Sequence, residues 1–207
     1  MKKKLGFALG AGGARGIAHI GFLQAMDEAG IRPDFVSGSS MGSIVGACYC
    51  KGMKPSEMLD IVRELKTFDI VDFGLSPITK LGLVKWTKVR KMMSGFLDDC
   101  DFSALEIPFS CVAVDLISGS PVTFTEGSVV DAVLASSSMP TVFRPVEKDG
   151  MLLVDGGVLC RVPVRQVKDL GADVTVAVDV LGKVRPVEKV PNVISLIMRT
   201  YDVMDAA

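Results

Sequence analysis

The chain has 207 residues, of which 49% are hydrophobic, so it is long enough to bury one sizeable core and predicts a single domain over residues 1–207. Its 23 basic and 24 acidic side chains leave a formal net charge of −1, which argues against nucleic acid as a partner. The mean hydropathy of +0.41 is high, yet no uncharged stretch reaches the roughly 20 apolar residues that a membrane-spanning helix needs.

The N-terminus begins with Lys2-Lys3-Lys4 and a short apolar run, which resembles a secretory signal. We disfavour that interpretation because the Gly-rich stretch around Arg15 belongs to a pattern that continues further along the chain. The five cysteines are odd in number and lack the paired spacing of metal ligands. We therefore expect reduced thiols, no metal site and a cytoplasmic protein.

The first fifty residues contain two predicted βα units. The apolar run from Lys4 to Leu9 predicts a buried strand, and apolar residues at threefold spacing from Ile17 to Met26 predict an amphipathic helix. A second strand is predicted at 35–37, followed by a sharp turn into a helix over 39–51. Two successive units of this kind indicate an α/β fold with a parallel or mostly parallel sheet.

The later pattern predicts more helices and strands of the same fold. They are a helix opening at Pro55, a helix near Trp86 to Met93, a strand from Phe109 to Val114 that enters a hairpin, a helix near Val129 to Ser136, a strand from Met151 that delivers Asp155, a strand from Val174 to Val180 and a terminal helix. Residues Thr67 to Lys85 mix Gly, Pro and scattered apolar residues, which suggests a segment that covers a cleft.

Gly38-Ser39-Ser40-Met41-Gly42 matches Gly-x-Ser-x-Gly, the nucleophile-elbow pattern. In this motif a strand turns so sharply into a helix that the serine Oγ is exposed, and glycines are needed where strand and helix approach each other. The match lies between a predicted strand and a predicted helix, which is the context that the motif requires. Ser40 is therefore the candidate nucleophile of a serine acyl hydrolase.

A serine nucleophile needs a proton acceptor within hydrogen-bond reach. His19 is the one histidine, but it precedes Ser40 and lies in the first predicted helix, so a structural role fits it better and an ordinary Ser-His-Asp triad is disfavoured. The alternative is a buried carboxylate. Asp115, Asp155 and Asp179 each end a predicted strand, and Asp155 stands out because Gly156 and Gly157 follow it and leave room for a ligand.

A third candidate element is the Gly-rich loop between the first strand and helix, Gly10-Ala11-Gly12-Gly13-Ala14-Arg15-Gly16. Its unpaired N–H groups are suited to a dinucleotide phosphate or to an oxyanion. A dinucleotide site needs an acid at the end of the second strand, whereas Ser40 follows that strand here. An oxyanion site is therefore the better account. Arg15 either fixes this loop, attracts a phosphate or is a solvated residue of the first turn.

The three elements in this order resemble the patatin-like phospholipase family. Leu9-Gly-Ala-Gly-Gly-Ala-Arg-Gly-Ile-Ala-His-Ile-Gly is similar to the opening of bacterial members, and Ala135-Ser-Ser-Ser-Met-Pro with Val154-Asp-Gly-Gly is similar to their approach to the catalytic aspartate. The resemblance extends from about Leu5 to Val180. It implies a three-layer α/β/α fold with a mostly parallel central sheet and hydrolysis of lipid acyl esters without a metal or organic cofactor.

The resemblance also implies roles for individual residues. Ser40 would be the nucleophile and Asp155 the proton acceptor, and Gly12 and Gly13 would donate the oxyanion-hole N–H groups with support from Arg15. The glycines of the supporting motifs are Gly16, Gly38, Gly42, Gly156 and Gly157.

The sequence departs from the family pattern in two places. Ala11 replaces the first glycine of the Gly-rich motif, which is a mild change if that residue keeps a negative φ. The chain also ends at Ala207, where similar bacterial proteins usually carry a further segment, so we expect a C-terminal truncation or a missing cleft wall.

The predicted partners are a lipid or fatty-acyl ester and, peripherally, a membrane surface, while the oligomeric state is left open. Two other functions stay open from the sequence. One is a catalytically silent lipid- or nucleotide-binding protein, and the other is a serine peptidase or thioesterase with the same dyad.

Overall fold

The computed structural model describes residues 2–65, 86–182 and 184–204. The strands are β1 (Leu5–Leu9), β2 (Phe35–Ser39), β3 (Phe109–Asp115), β4 (Ser120–Phe124), β5 (Val146–Lys148), β6 (Met151–Asp155) and β7 (Val174–Val178). The helices are α1 (Ala18–Glu28), α2 (Met41–Cys50), α3 (Pro55–Glu64), α4 (Thr87–Leu97), α5 (Val129–Ser136), α6 (Val164–Asp169) and α7 (Val193–Met204). Short 3-10 segments cover Gly13–Ile17, Phe102–Ala104 and Gly156–Val158. The predicted cleft-covering segment, Thr67 to Lys85, lies outside the described residues.

The seven described strands form one mixed sheet. Its hydrogen-bonded path is β5-β6-β3-β2-β1-β7, and β4 pairs with β3 off this path. The strands β7, β1, β2 and β3 pair in parallel, which is the arrangement that the two βα units predict. The pairings of β4 and β6 with β3, and of β5 with β6, are antiparallel.

Helices cover both faces of this sheet. Alternate residues of a strand point to opposite faces, and on β1 the ring of Phe7 packs edge-on against Phe22 of α1, with 5.0 Å between ring centroids. The neighbouring position faces the other way, because a Cβ on Gly6 would lie 2.6 Å from Val167 Cγ2 of α6. Since α1 and α6 occupy opposite faces, the three-layer α/β/α fold is confirmed.

Strand β3 explains why two distant parts of the chain meet. Strand β4 pairs with Cys111–Asp115, so β2 and β6 must share the other edge of β3. On that edge β2 runs parallel and ends with Ser39 opposite Val112, whereas β6 runs antiparallel and ends with Asp155 opposite Ala113. The carboxyl ends of β2 and β6 therefore meet head to head along one edge. Whatever follows β2 lies beside the last residue of β6.

Helix α5 packs behind this meeting point. The Ser128 side chain caps its N-terminus by accepting a hydrogen bond from Asp131 N–H at 3.2 Å. Almost all of its residues are buried, since it packs against β3, β6 and α2 as well as α4. A helix held on all sides gives its C-terminal residues fixed positions, and those residues reach the end of β2.

Candidate active site

Ser40 occupies the sharp turn between β2 and α2. Its φ of 52° and ψ of −125° lie in a region that non-glycine residues rarely adopt. Such a conformation persists only when the surrounding structure enforces it, and it is typical of functional residues. The residue is 5% exposed, so Ser40 is almost buried but still reaches a pocket.

The two glycines of the elbow sit where the backbone segments are closest. A Cβ on Gly38 would lie 2.6 Å from Gly42 O and from Ser43 N at the start of α2. A Cβ on Gly42 would lie 2.6 Å from the carbonyl oxygen of Gly10, the residue that follows β1. Real Cβ atoms do not approach backbone atoms this closely, so any side chain at either position would push α2 away from the sheet.

Three consecutive serines at the C-terminal end of α5, Ser136 to Ser138, connect the turn to the neighbouring strand β6. Ser136 Oγ accepts a hydrogen bond from Ser40 N–H at 3.0 Å, and Ser137 Oγ donates one to Ser40 O at 3.3 Å. The carbonyl of Ser138 accepts a hydrogen bond from Asp155 N–H at 3.0 Å. These bonds connect the elbow and the end of β6 through one short segment. The Ser-Ser-Ser run is visible in the sequence, but the sequence alone did not predict these hydrogen bonds.

Asp155 lies directly beside Ser40. Its Oδ2 accepts a hydrogen bond from Ser40 Oγ at 2.5 Å, and its Oδ1 accepts one from Gly157 N–H at 2.8 Å. The residue is 5% exposed. A Cβ on Gly156 would lie 2.8 Å from Ser39 Oγ, and a Cβ on Gly157 would lie 2.9 Å from the Ala11 Cβ. Gly156 therefore packs closely against the elbow, and Gly157 packs closely against the Gly-rich loop.

The other two candidate carboxylates, Asp115 and Asp179, bind partners other than Ser40. Asp115 closes the β3–β4 hairpin by accepting from Ile117 N–H and Ser118 N–H, and it also accepts from Leu152 N–H. Hydrogen bonding from the Ser118 side chain and from these backbone groups lowers the pKa of Asp115 to about 2. Asp179 forms an ion pair with Arg161. Both carboxylates are engaged elsewhere, whereas Asp155 meets the serine.

His19 is a buried structural residue, as the sequence predicts. Its Nε2 is 2.7 Å from Gly10 O, so this nitrogen carries the proton and donates to that carbonyl. Burial lowers the pKa of His19 below its usual 6.5, against smaller raising effects of Gly10 and Asp179. The neutral ring therefore fixes the start of the Gly-rich loop, while the Ser40 hydroxyl donates to Asp155.

The Gly-rich loop is anchored at its start and free at its centre. Gly10 N–H donates to Val178 O at 3.0 Å and Ala11 N–H donates to Arg161 O at 2.8 Å. Within residues 2–65, 86–182 and 184–204, the N–H groups of Gly12 and Gly13 donate to no protein acceptor, and both residues line the pocket that holds Ser40. Unpaired N–H groups at this place can stabilise an oxyanion.

Three residues of this loop, Ala11, Gly16 and Arg15, are also placed by the structure. Ala11 is not among the described non-glycine residues with positive φ, so alanine fits in place of glycine without strain. A Cβ on Gly16 would lie 2.5 Å from the Met41 Cβ, so Gly16 lets the loop approach the start of α2. Arg15 Nη1 lies 3.4 Å from Asp202 Oδ1 of α7.

A pocket of about 240 Å³ opens over Ser40 and Asp155. Besides Ser40, Asp155 and the loop, its lining consists of Met139, Pro140, Gly157, Val158, Leu181, Tyr201 and Asp202. Burial, together with the nearby carboxylate of Asp155, raises the pKa of Tyr201. The sequence predicted a terminal helix but had no signal that α7 forms a wall of this pocket, because packing partners of a helix are set by tertiary structure.

Two negative findings concern the described part of the chain. No helix there is both long enough and apolar enough to cross a bilayer. No group of three or more His, Cys, Asp or Glu side chains in the described ranges is arranged to hold a metal ion.

Comparison with known proteins identifies a matching family and related sequences. The family model for patatin-like phospholipase matches residues 7–168. An uncharacterized NTE family protein of Mycobacterium tuberculosis (strain ATCC 25618 / H37Rv) is 35% identical over 179 residues, which cover 86% of this chain and 49% of that protein. Lysophospholipase nte1 of Aspergillus fumigatus is 32% identical over 186 residues, covering 86% of this chain and 12% of that protein.

Among solved structures, VipD from Legionella pneumophila superposes with a TM-score of 0.63 over 76% of this chain and 46% of that chain. Its sequence identity is 14%, so the similarity concerns the fold. The chain spans about half the length of the mycobacterial relative and a smaller part of the fungal one.

Proposed function

Because the chain belongs to the patatin-like phospholipase family, a family of lipid hydrolases, we propose that it is a serine acyl hydrolase that cleaves carboxylic esters of lipids through a Ser40-Asp155 dyad. The observation that supports the proposal most is the 2.5 Å hydrogen bond from Ser40 Oγ to Asp155 Oδ2. It joins a serine in a strained conformation to an almost buried carboxylate.

The proposed reaction begins when Ser40 Oγ attacks the ester carbonyl carbon and transfers its proton to Asp155 Oδ2. The carbonyl oxygen becomes an oxyanion, which the N–H groups of Gly12 and Gly13 stabilise together with the positive end of the α2 dipole. When the tetrahedral intermediate collapses, the protonated Asp155 returns the proton to the departing alkoxide. The acyl group is then esterified to Ser40.

Deacylation repeats these steps with water. Asp155 accepts a proton from the attacking water, the same N–H groups stabilise the second oxyanion, and the carboxylic acid leaves as Ser40 Oγ takes the proton back. The hydrogen bond that Ser136 Oγ accepts from Ser40 N–H and the one that Ser137 Oγ donates to Ser40 O keep the elbow in place during both steps, and the bond from Gly157 N–H keeps one oxygen of Asp155 fixed. The other oxygen is thereby directed at Ser40.

A lipid substrate agrees with the surroundings of the site. The side chains of Met139, Pro140, Val158 and Leu181 give the pocket an apolar lining, which suits an acyl chain. At the same end of the sheet, the turn after β3 exposes Leu116 and Ile117, and Ile117 is 72% exposed. Exposed apolar residues at the same end of the sheet as the site suit insertion into a lipid surface. We propose that the protein is cytoplasmic and contacts the membrane peripherally through this turn.

The test is release of fatty acid from a lysophospholipid, measured by mass spectrometry. We expect turnover by the wild-type protein and by the control Ser56→Ala, which removes an exposed hydroxyl of α3, and no turnover by Ser40→Ala. Lipid binding without turnover by the wild type would instead indicate a catalytically silent binding protein. Faster turnover of thioesters or amides than of esters would assign the dyad to a thioesterase or a peptidase.

A further inference from the structure

The pocket over Ser40 is small for a site that takes a lipid. Its volume is about 240 Å³, whereas pockets for drug-sized ligands typically measure about 300–1,000 Å³. An apolar protein cavity of about 150 Å³ binds benzene, which has six carbon atoms. By that proportion, the pocket over Ser40 has room for on the order of ten carbon atoms.

The acyl group is the part of the substrate that must fit inside this pocket. In the proposed mechanism it stays esterified to Ser40 until water attacks, whereas the alcohol departs first. The side chains of Met139, Pro140, Val158 and Leu181 give the acyl group apolar surroundings. Each methylene that leaves water for such a lining favours binding by up to about fourfold, so a chain that fills the pocket is preferred to a shorter one.

The end of α7 closes one side of the pocket. Tyr201 lies in the pocket lining, and burial raises its pKa, so the acyl chain meets an uncharged phenol. Two contacts hold this helix in place. Asp202 Oδ1 lies 3.4 Å from Arg15 Nη1 of the Gly-rich loop. Arg199 Nη2 donates to Arg185 O at 2.8 Å, which connects α7 to the link after β7.

A second space of about 810 Å³ adjoins the pocket, but it is unsuited to an alkyl chain. The two spaces share Arg15, Leu181 and Asp202 in their linings, so an ion pair lies on the boundary. Beyond that boundary the lining includes further basic side chains, namely Arg161, Arg185, Lys189 and Arg199. An alkyl chain there would displace water from charged groups without offering them hydrogen bonds, which costs free energy. The space available to an acyl chain therefore ends at this boundary.

We propose that the site selects esters of medium-chain acyl groups, of about eight to ten carbon atoms, and that Tyr201 sets this upper limit as a wall of the pocket. This inference rests on the proposed function and adds an acyl-chain length to it. Tyr201 is a specificity-determining residue: its ring contacts the far part of the chain and takes no part in the proton transfers between Ser40 and Asp155.

The experiment measures kcat/KM for p-nitrophenyl esters of butanoic, octanoic, decanoic, dodecanoic and palmitic acid. All are presented in micelles of one uncharged detergent at equal mole fraction. For the wild type, kcat/KM should rise from the butanoyl to the decanoyl ester, and the palmitoyl ester should be at least about tenfold poorer than the decanoyl ester. A palmitoyl value equal to or above the decanoyl value would overturn the inference, whereas hydrolysis of none of these esters would refute the proposed function itself.

Two variants should move the preferred chain length in opposite directions. Tyr201→Ala removes a ring about the size of benzene and adds room for about six carbon atoms, so the ratio of palmitoyl to decanoyl kcat/KM should rise about tenfold. Val158→Phe fills part of the pocket from the 3-10 segment after β6, without altering α7, and should move the optimum to about six carbon atoms. The control Leu196→Ala removes an exposed side chain of α7 that lines neither space, and it should keep the wild-type profile.

A further variant separates the wall from a mere loosening of α7. Tyr201→Phe keeps the ring and loses the hydroxyl, so it should keep the wild-type chain-length preference. A shift in Tyr201→Phe as large as that in Tyr201→Ala would overturn the inference. So would unchanged ratios in both Tyr201→Ala and Val158→Phe when thermal unfolding shows that these proteins are folded.

Discussion

Replacing Asp155 by asparagine removes one proton-accepting oxygen and keeps the shape of the side chain. The structure predicts how the new amide will orient. Oδ1 of Asp155 accepts a hydrogen bond from Gly157 N–H at 2.8 Å, so the amide oxygen of the introduced side chain should keep that place. The amide NH₂ then occupies the position of Oδ2, 2.5 Å from Ser40 Oγ in the native site. An NH₂ group donates hydrogen bonds and cannot accept the serine proton.

The size of the effect follows from that geometry. Turning the amide over would set its NH₂ against Gly157 N–H and cost about 1–3 kcal/mol for the lost bond, so the unproductive orientation dominates. General-base catalysis contributes typically about 10²- to 10⁴-fold to a rate, and we expect kcat to fall by this factor. At about 1.36 kcal/mol per tenfold change, the barrier rises by roughly 3–5 kcal/mol.

The assay is hydrolysis of a short p-nitrophenyl ester, which separates chemistry from lipid binding. Thermal unfolding of Asp155→Asn should lie close to that of the wild type, because the substitution changes neither volume nor the bond from Gly157. The control Asp169→Asn, on the exposed end of α6, should retain full activity. If Asp155→Asn kept a kcat within a few-fold of the wild type, Asp155 would not be the base.

Three further predictions concern stability and membrane contact. Gly38→Ala should lower the free energy of unfolding, measured in urea, by about 1–3 kcal/mol because the new Cβ collides with the start of α2. The control Gly21→Ala lies in α1, where a Cβ contacts nothing within 4 Å, and should raise that free energy by about 0.5–1 kcal/mol. Equal effects of the two substitutions would refute the steric argument. Because burial lowers the pKa of His19, the unfolded chain binds a proton that the folded chain does not, so the free energy of unfolding should fall as the pH drops below 6.5, and less so in His19→Gln. Ile117→Ser should weaken binding to lipid vesicles about tenfold in co-sedimentation. The control Ile31→Ser, at the opposite end of the sheet, should bind vesicles as the wild type does. Identical binding by the two variants would exclude the turn after β3 as the membrane contact.

Much of the fold could be predicted because its signals are local. Residue periodicity and turn residues placed α5 at its observed bounds and most other elements within a few residues. The short α6 and the three-residue β5 were not predicted, because a helix of less than two turns or a strand of three residues is too short to show a residue periodicity. The terminal helix was predicted, but its role as a pocket wall depends on long-range packing.

The candidate site divides in the same way. The elbow and the Gly-rich loop are local motifs, and each fixes its own backbone geometry. Choosing Asp155 over Asp115 and Asp179 drew on the two glycines after it and on the family resemblance, and the sequence could not show the reason for its contact with Ser40. That reason is the shared edge of β3, where β2 and β6 end head to head. The hydrogen bonds of Ser136 and Ser137 with Ser40 also depend on tertiary structure, so the sequence could not predict them.

The most direct test of a Ser40 nucleophile is reaction with a fluorophosphonate followed by mass spectrometry of the intact protein and its peptides. We expect one adduct per chain, located on Ser40 in the peptide that spans the elbow, and none on Ser40→Ala. The control Ser56→Ala should be labelled at the wild-type rate. An adduct on a different residue, or unchanged labelling of Ser40→Ala, would contradict the assignment of Ser40 as the nucleophile.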